Sequence, residues 1–465
     1  IIQFTQNKKK FYYLLYRLVV KYDLFYLFLY MELVINSADK KMIIASTIGS
    51  GFELFDFLSF VFLSSIIAKI FFPPHMQSFA IFFTYLTITI SYLFRPIGGL
   101  ILAHIGDKYG RKFSFTFSIL LMSIPSFVIS ILPTFATIGY LATALIIIAR
   151  IFQGFSLGGE VPGSVTYIAE KFRNKNYYFY CAWLTFGANF GLAIGSQFIH
   201  FLNENTTPAF MLSIGWRIPF LIGGLLTIIG FYIRYHLSET NEFKELQNNK
   251  KISNIPLITL LKEYKTQIFC AFFLCFVVSL NTSIFHIFLP NLLTSYYKLS
   301  INNTTNMSVI GALVMAVFSL MFAFIVRFMI VISVLRISLC GLIFVLLITY
   351  LNINQINGSL QYNLFSLYFI VIIISITLAG VNGLFFGILA SLFPTKVRYT
   401  GISFSYNLAY IIGAGLTPLW TSLIIEKTNS YNSIIAVCLF VAVLTLLSTI
   451  QLNKLLQKTN ELVQH

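Results

Sequence analysis

Apolar residues in this chain gather in long runs rather than in a stripe or an alternation. Runs of about 20 residues are what a bilayer-spanning helix needs. They predict membrane helices near 42–67, 77–101, 114–132, 138–165, 178–202 and 216–236. A polar stretch at 238–265 intervenes, and further runs lie near 267–291, 306–326, 329–351, 364–390, 401–425 and 432–453. The expected organisation is an N-terminal cytoplasmic segment at 1–41, a six-helix bundle at 42–236, a central cytoplasmic loop at 237–266, a second bundle at 267–453 and a short cytoplasmic tail at 454–465. Two similar bundles of this kind suit a two-fold relation about the membrane normal. The fold class is an all-α polytopic membrane protein.

Composition agrees with that pattern: 58% of the 465 residues are hydrophobic and 10% charged, with a mean hydropathy of +0.84, against about half and a quarter for a soluble domain. The formal net charge of +16 would suggest nucleic acid in a soluble protein, but Lys and Arg collect in alternate short loops, so the partner is the lipid bilayer. Lys108, Arg111, Lys112, Lys171, Arg173, Lys175, Lys396, Arg398 and the bases of the central segment mark one side; Lys69, Arg217, Lys298 and Lys427 are sparse on the other. Both termini are therefore expected in the cytoplasm. Cys181, Cys270, Cys275, Cys340 and Cys438 fall in or beside apolar runs and read as small buried hydrophobes. The six histidines lack ligand spacing, so neither a metal nor a catalytic site is expected. Residues 1–30, with Lys8-Lys9-Lys10 and aromatics broken by Arg17, Lys21 and Asp23, make a poor signal peptide. Met31 is the expected natural start.

Candidate chemistry lies inside the runs. The first reads Gly49-Ser-Gly-Phe-Glu53-Leu-Phe-Asp56-Phe57, which puts Glu53 and Asp56 on one helix face. Carboxylates in mid-bilayer cost several kcal/mol or more unless paired, solvated or protonated, and two on one face repel. A proton on one of them relieves both problems. Arg95 and Arg150 each need a buried anion, and Glu53, Asp56 and Glu160 are the acids available nearby; a pairing of Arg95 or Arg150 with the first-run acids is expected. Small residues at four-residue spacing, Gly154 and Gly158, Gly159 and Gly163, then Gly187, Gly191 and Gly195, predict close helix packing. The second half offers neutral cavity candidates: Asn281, Thr282, Ser283, His286, Asn382, Tyr406, Asn407 and Tyr410, to which Gln153 of the fourth run is added.

One segment organises the rest. Arg95-Pro-Ile-Gly-Gly leads to Ala103-His-Ile-Gly106-Asp107-Lys-Tyr-Gly110-Arg111-Lys112, read as a short basic turn with one acid, between two runs. It resembles the loop signature of the major facilitator superfamily, with Ala103 where that signature has its first Gly. Residues 49–57, Phe71-Phe-Pro73, Arg150-x-x-Gln153-Gly-x-Ser-x-Gly-Gly-Glu160, Gly215-Trp-Arg-Ile-Pro-Phe-Leu221, Ser238-Glu-Thr240 and Leu392-Phe-Pro-Thr-Lys-Val-Arg398-Tyr-Thr-Gly401 resemble, in the same order, the metabolite–proton symporter family within it, including its proline/betaine transporters. The resemblance implies a major facilitator fold with twelve transmembrane helices in two six-helix bundles. It also implies a non-enzymatic, proton-coupled symporter for a small metabolite in a bacterial inner membrane, acting as a monomer without a cofactor beyond the proton gradient. Glu53, Asp56, Arg95, Arg150 and Glu160 are the expected proton-coupling and charged-cavity residues. Gly106, Asp107, Gly110, Arg111, Lys112 and Arg398 are the expected cytoplasmic gate, and Gln153, Asn281, Asn382, Tyr406 and Asn407 the substrate cavity. A zwitterionic osmolyte such as proline or betaine is the favoured substrate, with a carboxylate such as 2-oxoglutarate or citrate as the alternative and a non-transporting sensor as a remote one. Two departures from the family stand out. No copy of the signature joins the eighth and ninth runs, where 323–332 carries only Arg327, and Ser391 stands where many members have Glu.

Overall fold

The computed structural model describes residues 37–172, 177–250, 252–253, 255–295, 299–356, 364–428 and 432–464. The expectations for residues 1–30 and for Met31 lie outside them. The chain divides into two compact units, Ile1–Ile44 and Ala45–His465. Of the first, the described residues 37–44 belong to the opening turns of a helix; everything below concerns the second.

That unit is built of long helices because no other open structure satisfies backbone N–H and C=O groups inside lipid. In order they are α1 (Ser37–Phe62), α2 (Gln77–Tyr109), α3 (Arg111–Ile131), α4 (Tyr140–Lys171), α5 (Tyr177–Asn205) and α6 (Arg217–Tyr235). Then come α7 (Lys265–Thr282), α8 (Ile301–Ile325), α9 (Val331–Ile356), α10 (Leu364–Leu392), α11 (Arg398–Tyr410) and α12 (Asn432–Gln464). Among the described residues ten helices are long and apolar enough to cross a membrane, and the bent pair Thr395–Gly415 and Thr417–Thr428, 44° apart, makes an eleventh. With 29 residues, α5 has the length, but its Asn189, Gln197 and His200 make it less apolar.

Three expectations about local structure change. The basic signature is not a loop: Asp107 and Lys108 end α2, Arg111 and Lys112 begin α3, and Gly110 alone joins them. Its φ of 127° lies where a side chain is strained, and that conformation lets one residue reverse the chain. The central segment is not a bare linker, since it folds into the short helices Asn241–Asn248 and Pro256–Glu263. The expected tail at 454–465 is helical through Gln464, continuous with α12. Wide π turns occur at Ser283–Phe288, extending α7, and at Ile411–Gly415, extending α11.

The glycine faces pack as the spacing predicts. A Cβ on Gly158 would collide with the Arg95 carbonyl oxygen, and one on Gly187 with that of Thr47, so α4 rests on α2 and α5 on α1 at backbone distance. Between the first six helices and the last six, α2 and α4 meet α11, and α5 meets α8 and α10. Four cysteines are buried as expected; Cys340 is exposed on α9, since that position faces outward from the bundle.

Candidate functional site

Away from the basic end, and among the described residues, three acids and three arginines are buried within the first six helices: Glu53, Asp56, Glu160, Arg95, Arg150 and Arg234. They form two sets of partners and leave two residues over. Asp56 Oδ2 accepts from Ser126 Oγ at 2.6 Å and from Gln153 Nε2 at 2.7 Å. Arg150 Nη1 donates to Gln153 Oε1 at 2.8 Å. Gln153 is thus a bridge, and Arg150 reaches the first-helix acid through it rather than directly. The guanidinium lies between two rings, 4.4 Å from the Phe57 centroid and 4.3 Å from that of Phe60. Glu160 pairs with Arg234 at 2.9 Å. Arg234 was not a candidate, because a base at the end of an apolar run reads as a snorkelling residue. In the fold it turns inward over the Phe115 ring at 4.0 Å and sits against Gly49.

Glu53 is the remainder on the acidic side. Both carboxyl oxygens are buried and accept no hydrogen bond from the described residues; the charges that act on it are Glu160, Arg95 and Arg234. Arg95 is the remainder on the basic side. Its Nη2 donates to Tyr406 Oη at a long 3.4 Å, and its Nε finds no acceptor. The expected direct pairing of Arg95 or Arg150 with Glu53 or Asp56 is therefore replaced by aromatic faces and a glutamine bridge. Aromatic rings compensate a buried guanidinium through their negative faces.

A second charged network occupies the end of the bundle that carries the basic signature. Arg111 Nη1 lies 2.8 Å from Asp107 Oδ1 and Arg111 Nε 3.2 Å from Glu170 Oε1. From the last six helices, Arg398 Nη1 reaches Glu170 at 3.1 Å and Glu242 at 2.7 Å. Asp107 Oδ2 accepts from the Thr400 N–H at 2.9 Å and from its hydroxyl at 2.6 Å. Thr400 stands in the first turn of α11, whose N–H groups lack helical partners. An aspartate of α2 thus caps a helix of the other set. Arg111 Nη2 also donates to the Thr395 carbonyl at 2.6 Å.

Of the expected gate residues, Asp107, Arg111 and Arg398 converge here, and Lys112 contributes its backbone N–H to Glu239 Oε2 at 3.1 Å. The Tyr399 ring lies against Gly106. Sequence reasoning missed Glu170, Glu239, Thr240 and Glu242. Thr240 caps Asn241–Asn248 and donates to Glu170 Oε2 at 2.7 Å. Ser238-Glu-Thr240 ahead of a short acidic helix was the available signal.

The neutral cavity candidates separate. Tyr406 belongs with Arg95, whereas Asn407 Nδ2 donates to the Gly158 carbonyl at 2.8 Å and ties α11 to α4. Asn281 Nδ2 satisfies the Val277 carbonyl at 2.8 Å within α7. Asn382 is buried on α10. His286, in the α7 π turn, meets Ser375 Oγ at 3.1 Å.

Buried opposite charges inside a bundle of membrane-length helices, beside a polar seam between two helix sets, suit a membrane transporter. A family model described as Major Facilitator Superfamily matches residues 54–418, and the chain belongs to that superfamily. A protein of Staphylococcus haemolyticus (strain JCSC1435), named "Putative proline/betaine transporter", is 31% identical over 405 residues, 86% of this chain and 84% of its own. The proline/betaine transporter of Escherichia coli (strain K12) is 28% identical over 437 residues, 89% of this chain and 83% of its own. Among solved structures, the proton:xylose symporter XylE bound to 6-bromo-6-deoxy-D-glucose aligns with a TM-score of 0.74 at 14% identity, covering 89% of this chain and 96% of that one. The inward open conformation of XylE from E. coli gives 0.62 at 15% identity, over 90% and 96%. The chain is a transporter and not an enzyme.

Proposed function

We propose that this transporter carries a small zwitterion, of the proline or betaine kind, inward across a bacterial cytoplasmic membrane together with a proton. The observation that carries the reading is the buried charge balance. The three acids and three arginines cancel when all are ionised, and Glu53, facing Glu160 without a donor of its own, is the group on which a proton relieves repulsion. Protonated there, the cluster holds one uncompensated positive charge, which costs several kcal/mol in a dry interior. A substrate carboxylate restores neutrality. Proton and carboxylate therefore favour each other's binding, which is the thermodynamic content of coupling.

The names of the relatives support that substrate class, and the energetics agree with it. A zwitterion with one proton moves one charge, worth about 2.3 kcal/mol per 100 mV. A dicarboxylate would need three protons to gain as much. Among the described residues, the last six helices put Arg336 and Arg398 toward their basic ends and no Lys or Arg midway, so they offer no second cation for a second carboxylate. The basic end is cytoplasmic on the positive-inside rule. The structure would then be the state closed to the cytoplasm, with rocking of the two sets alternating access. The monomer and the proton gradient suffice.

The test is uptake into vesicles holding the purified chain. Labelled betaine or proline should accumulate when a proton gradient alone is supplied, and 2-oxoglutarate and citrate should not. Glu53→Gln should abolish accumulation while sparing counterflow exchange, since the sets can rock around a permanently neutral side chain. Accumulation by the Glu53→Gln/Asp56→Asn double variant would remove the coupling site from these residues.

A further inference from the structure

Arg95 is 3% exposed and lies on the seam where α2 and α11 run antiparallel, in a box of tyrosines. Its Cζ is 5.1 Å from the Tyr92 ring centroid, 5.5 Å from that of Tyr406 and 5.3 Å from that of Tyr410. Phe57 meets Tyr92 edge-on at 5.3 Å, Phe386 meets Tyr406 at 6.1 Å, and Tyr406 meets Tyr410 at 4.1 Å. The wall is thus drawn from α1, α2, α10 and α11. It is closed on one side where Thr89 Oγ1 donates to the Gly415 carbonyl at 3.2 Å, and on the other where Asn407 Nδ2 bonds the Gly158 carbonyl.

Two features of this box do not suit a purely structural arginine. Arg111, Arg234 and Arg398 each have a carboxylate within 3.2 Å, and Arg150, which has none, is tied at 2.8 Å to the amide oxygen of Gln153. Arg95 has five N–H donors and, among the described residues, no carboxylate partner: its neighbours are the hydroxyls of Tyr406, at a long 3.4 Å, and of Tyr92, and its Nε has no acceptor. A buried cation this short of acceptors is aimed at an anion that arrives from elsewhere. The three rings lie within 5.5 Å of one cation, and clustered aromatic rings are what holds quaternary ammonium groups.

We propose that the Arg95–tyrosine box is the headgroup site for an N-methylated amino-acid zwitterion, in which the guanidinium holds the place that the substrate's ammonium takes. The incoming carboxylate draws Arg95 off the rings into a charge-assisted bond, and the methylated ammonium replaces it over Tyr92, Tyr406 and Tyr410. The exchange keeps one cation on the rings and adds one anion, and no bond is made or broken. Methyl groups suit the site because an ammonium with N–H donors would leave them unsatisfied against ring faces. The inference deepens the zwitterion reading above and rests on it.

Calorimetric binding to the full chain in lipid nanodiscs separates the parts. The probes are glycine betaine, its uncharged-headgroup isostere 3,3-dimethylbutanoate, glycine and choline. In the wild type, betaine should bind at least about tenfold tighter than the isostere, as desolvated cation–π contacts would give. Choline, which lacks the carboxylate that moves Arg95, should bind at least about tenfold more weakly than betaine. Tyr406→Leu and Tyr410→Leu should bring the betaine-to-isostere ratio toward one, whereas Tyr410→Phe should keep it. Arg95→Lys should weaken betaine and isostere alike.

If the leucine variants do not fold, 3,5-difluorotyrosine at 406 or 410 gives the same comparison with an unchanged shape and a weaker ring quadrupole. A wild-type ratio near one, or a ratio that survives both leucine or both fluorinated variants, overturns the box. Betaine uptake would then still support the symport reading. Failure of the wild type to transport any zwitterion overturns that reading as well.

Discussion

Asp107 gives the sharpest test of the proposal that the basic end is a gate closed in this structure. It is fully buried, and its two oxygens serve different purposes. The ion pair of Arg111 with Oδ1 stays within the first six helices and persists in any rigid-body movement. The bonds from Thr400 N–H and hydroxyl to Oδ2 cross between the sets and must break when that end opens. Hydrogen bonds to an ionised acceptor contribute about 1.5–3 kcal/mol each, against about 1 for neutral ones. Asp107→Asn keeps the shape and one acceptor oxygen but removes the charge. The closed arrangement should therefore lose about 2 kcal/mol relative to the open one, a shift of roughly 30-fold in their ratio at 1.4 kcal/mol per decade. Arg111 keeps Glu170, so the helix junction itself should hold. A reporter at Ser403→Cys in a Cys340→Ser background reads the opening, because Ser403 is buried against the Gly158 carbonyl at 3.4 Å. Labelling by a membrane-impermeant maleimide from the basic side should quicken by about that factor. A rate within about twofold of the parent, together with unchanged uptake, would refute the capping argument.

Other consequences are as direct. Arg398→Met leaves Glu170 and Glu242 without their shared partner, and breaking a buried pair on one side costs about 3–5 kcal/mol; it should open the gate further than Asp107→Asn in the same labelling assay. Gly158→Val should lower thermal stability in detergent by about 2 kcal/mol or more, because its Cβ meets the Arg95 carbonyl, whereas Gly195→Ala, with nothing nearer than 3.4 Å, should stay within about 0.5 kcal/mol of the parent. Asp56→Asn should spare proton-driven accumulation and lower stability by about 1–2 kcal/mol, because Asp56 is held by Ser126 and Gln153. Loss of accumulation in that variant, at full stability, would move the coupling role from Glu53 to Asp56.

The apolar runs, the shared face of Glu53 and Asp56 and the small-residue stripes were all readable, because each depends on periodicity along one helix. What could not be read was which charge answers which. Arg234 and Glu160 are far apart in sequence and meet only because α6 and α4 both pack against α3. The glutamine bridge between Arg150 and Asp56 needs α1 against α4, and Ser126 of α3 completes it. The signature was misjudged as a loop for a local reason: one glycine with positive φ can do the work of several turn residues, and sequence alone does not report φ. Tyr92 looked like one aromatic among 26 tyrosines, and only its place opposite Tyr406 and Tyr410 gives it meaning.

The missing second signature acquires a physical account from the same structure. A repeat of the α2–α3 junction would fall between α8 and α9, and its acid would cap α5 as Asp107 caps α11. This chain has no acid there, and the neighbourhood is aromatic instead. Phe324, at the end of α8, meets Phe179, at the start of α5, edge to face at 6.2 Å, and meets Phe328 at 5.6 Å. The Arg327 guanidinium lies 5.4 Å from the Phe324 ring, and Gly387 of α10 admits the Tyr178 ring on the other side of α5. One arm of the closure is therefore ionic and directional, the other apolar and tolerant of sliding. Apolar contacts of that kind weaken gradually as they separate, whereas a buried ion pair is made or lost within about an ångström of movement. The α2–α11 arm should then set when the basic end opens, and the α5–α8 arm should act as the surface on which the two helix sets turn.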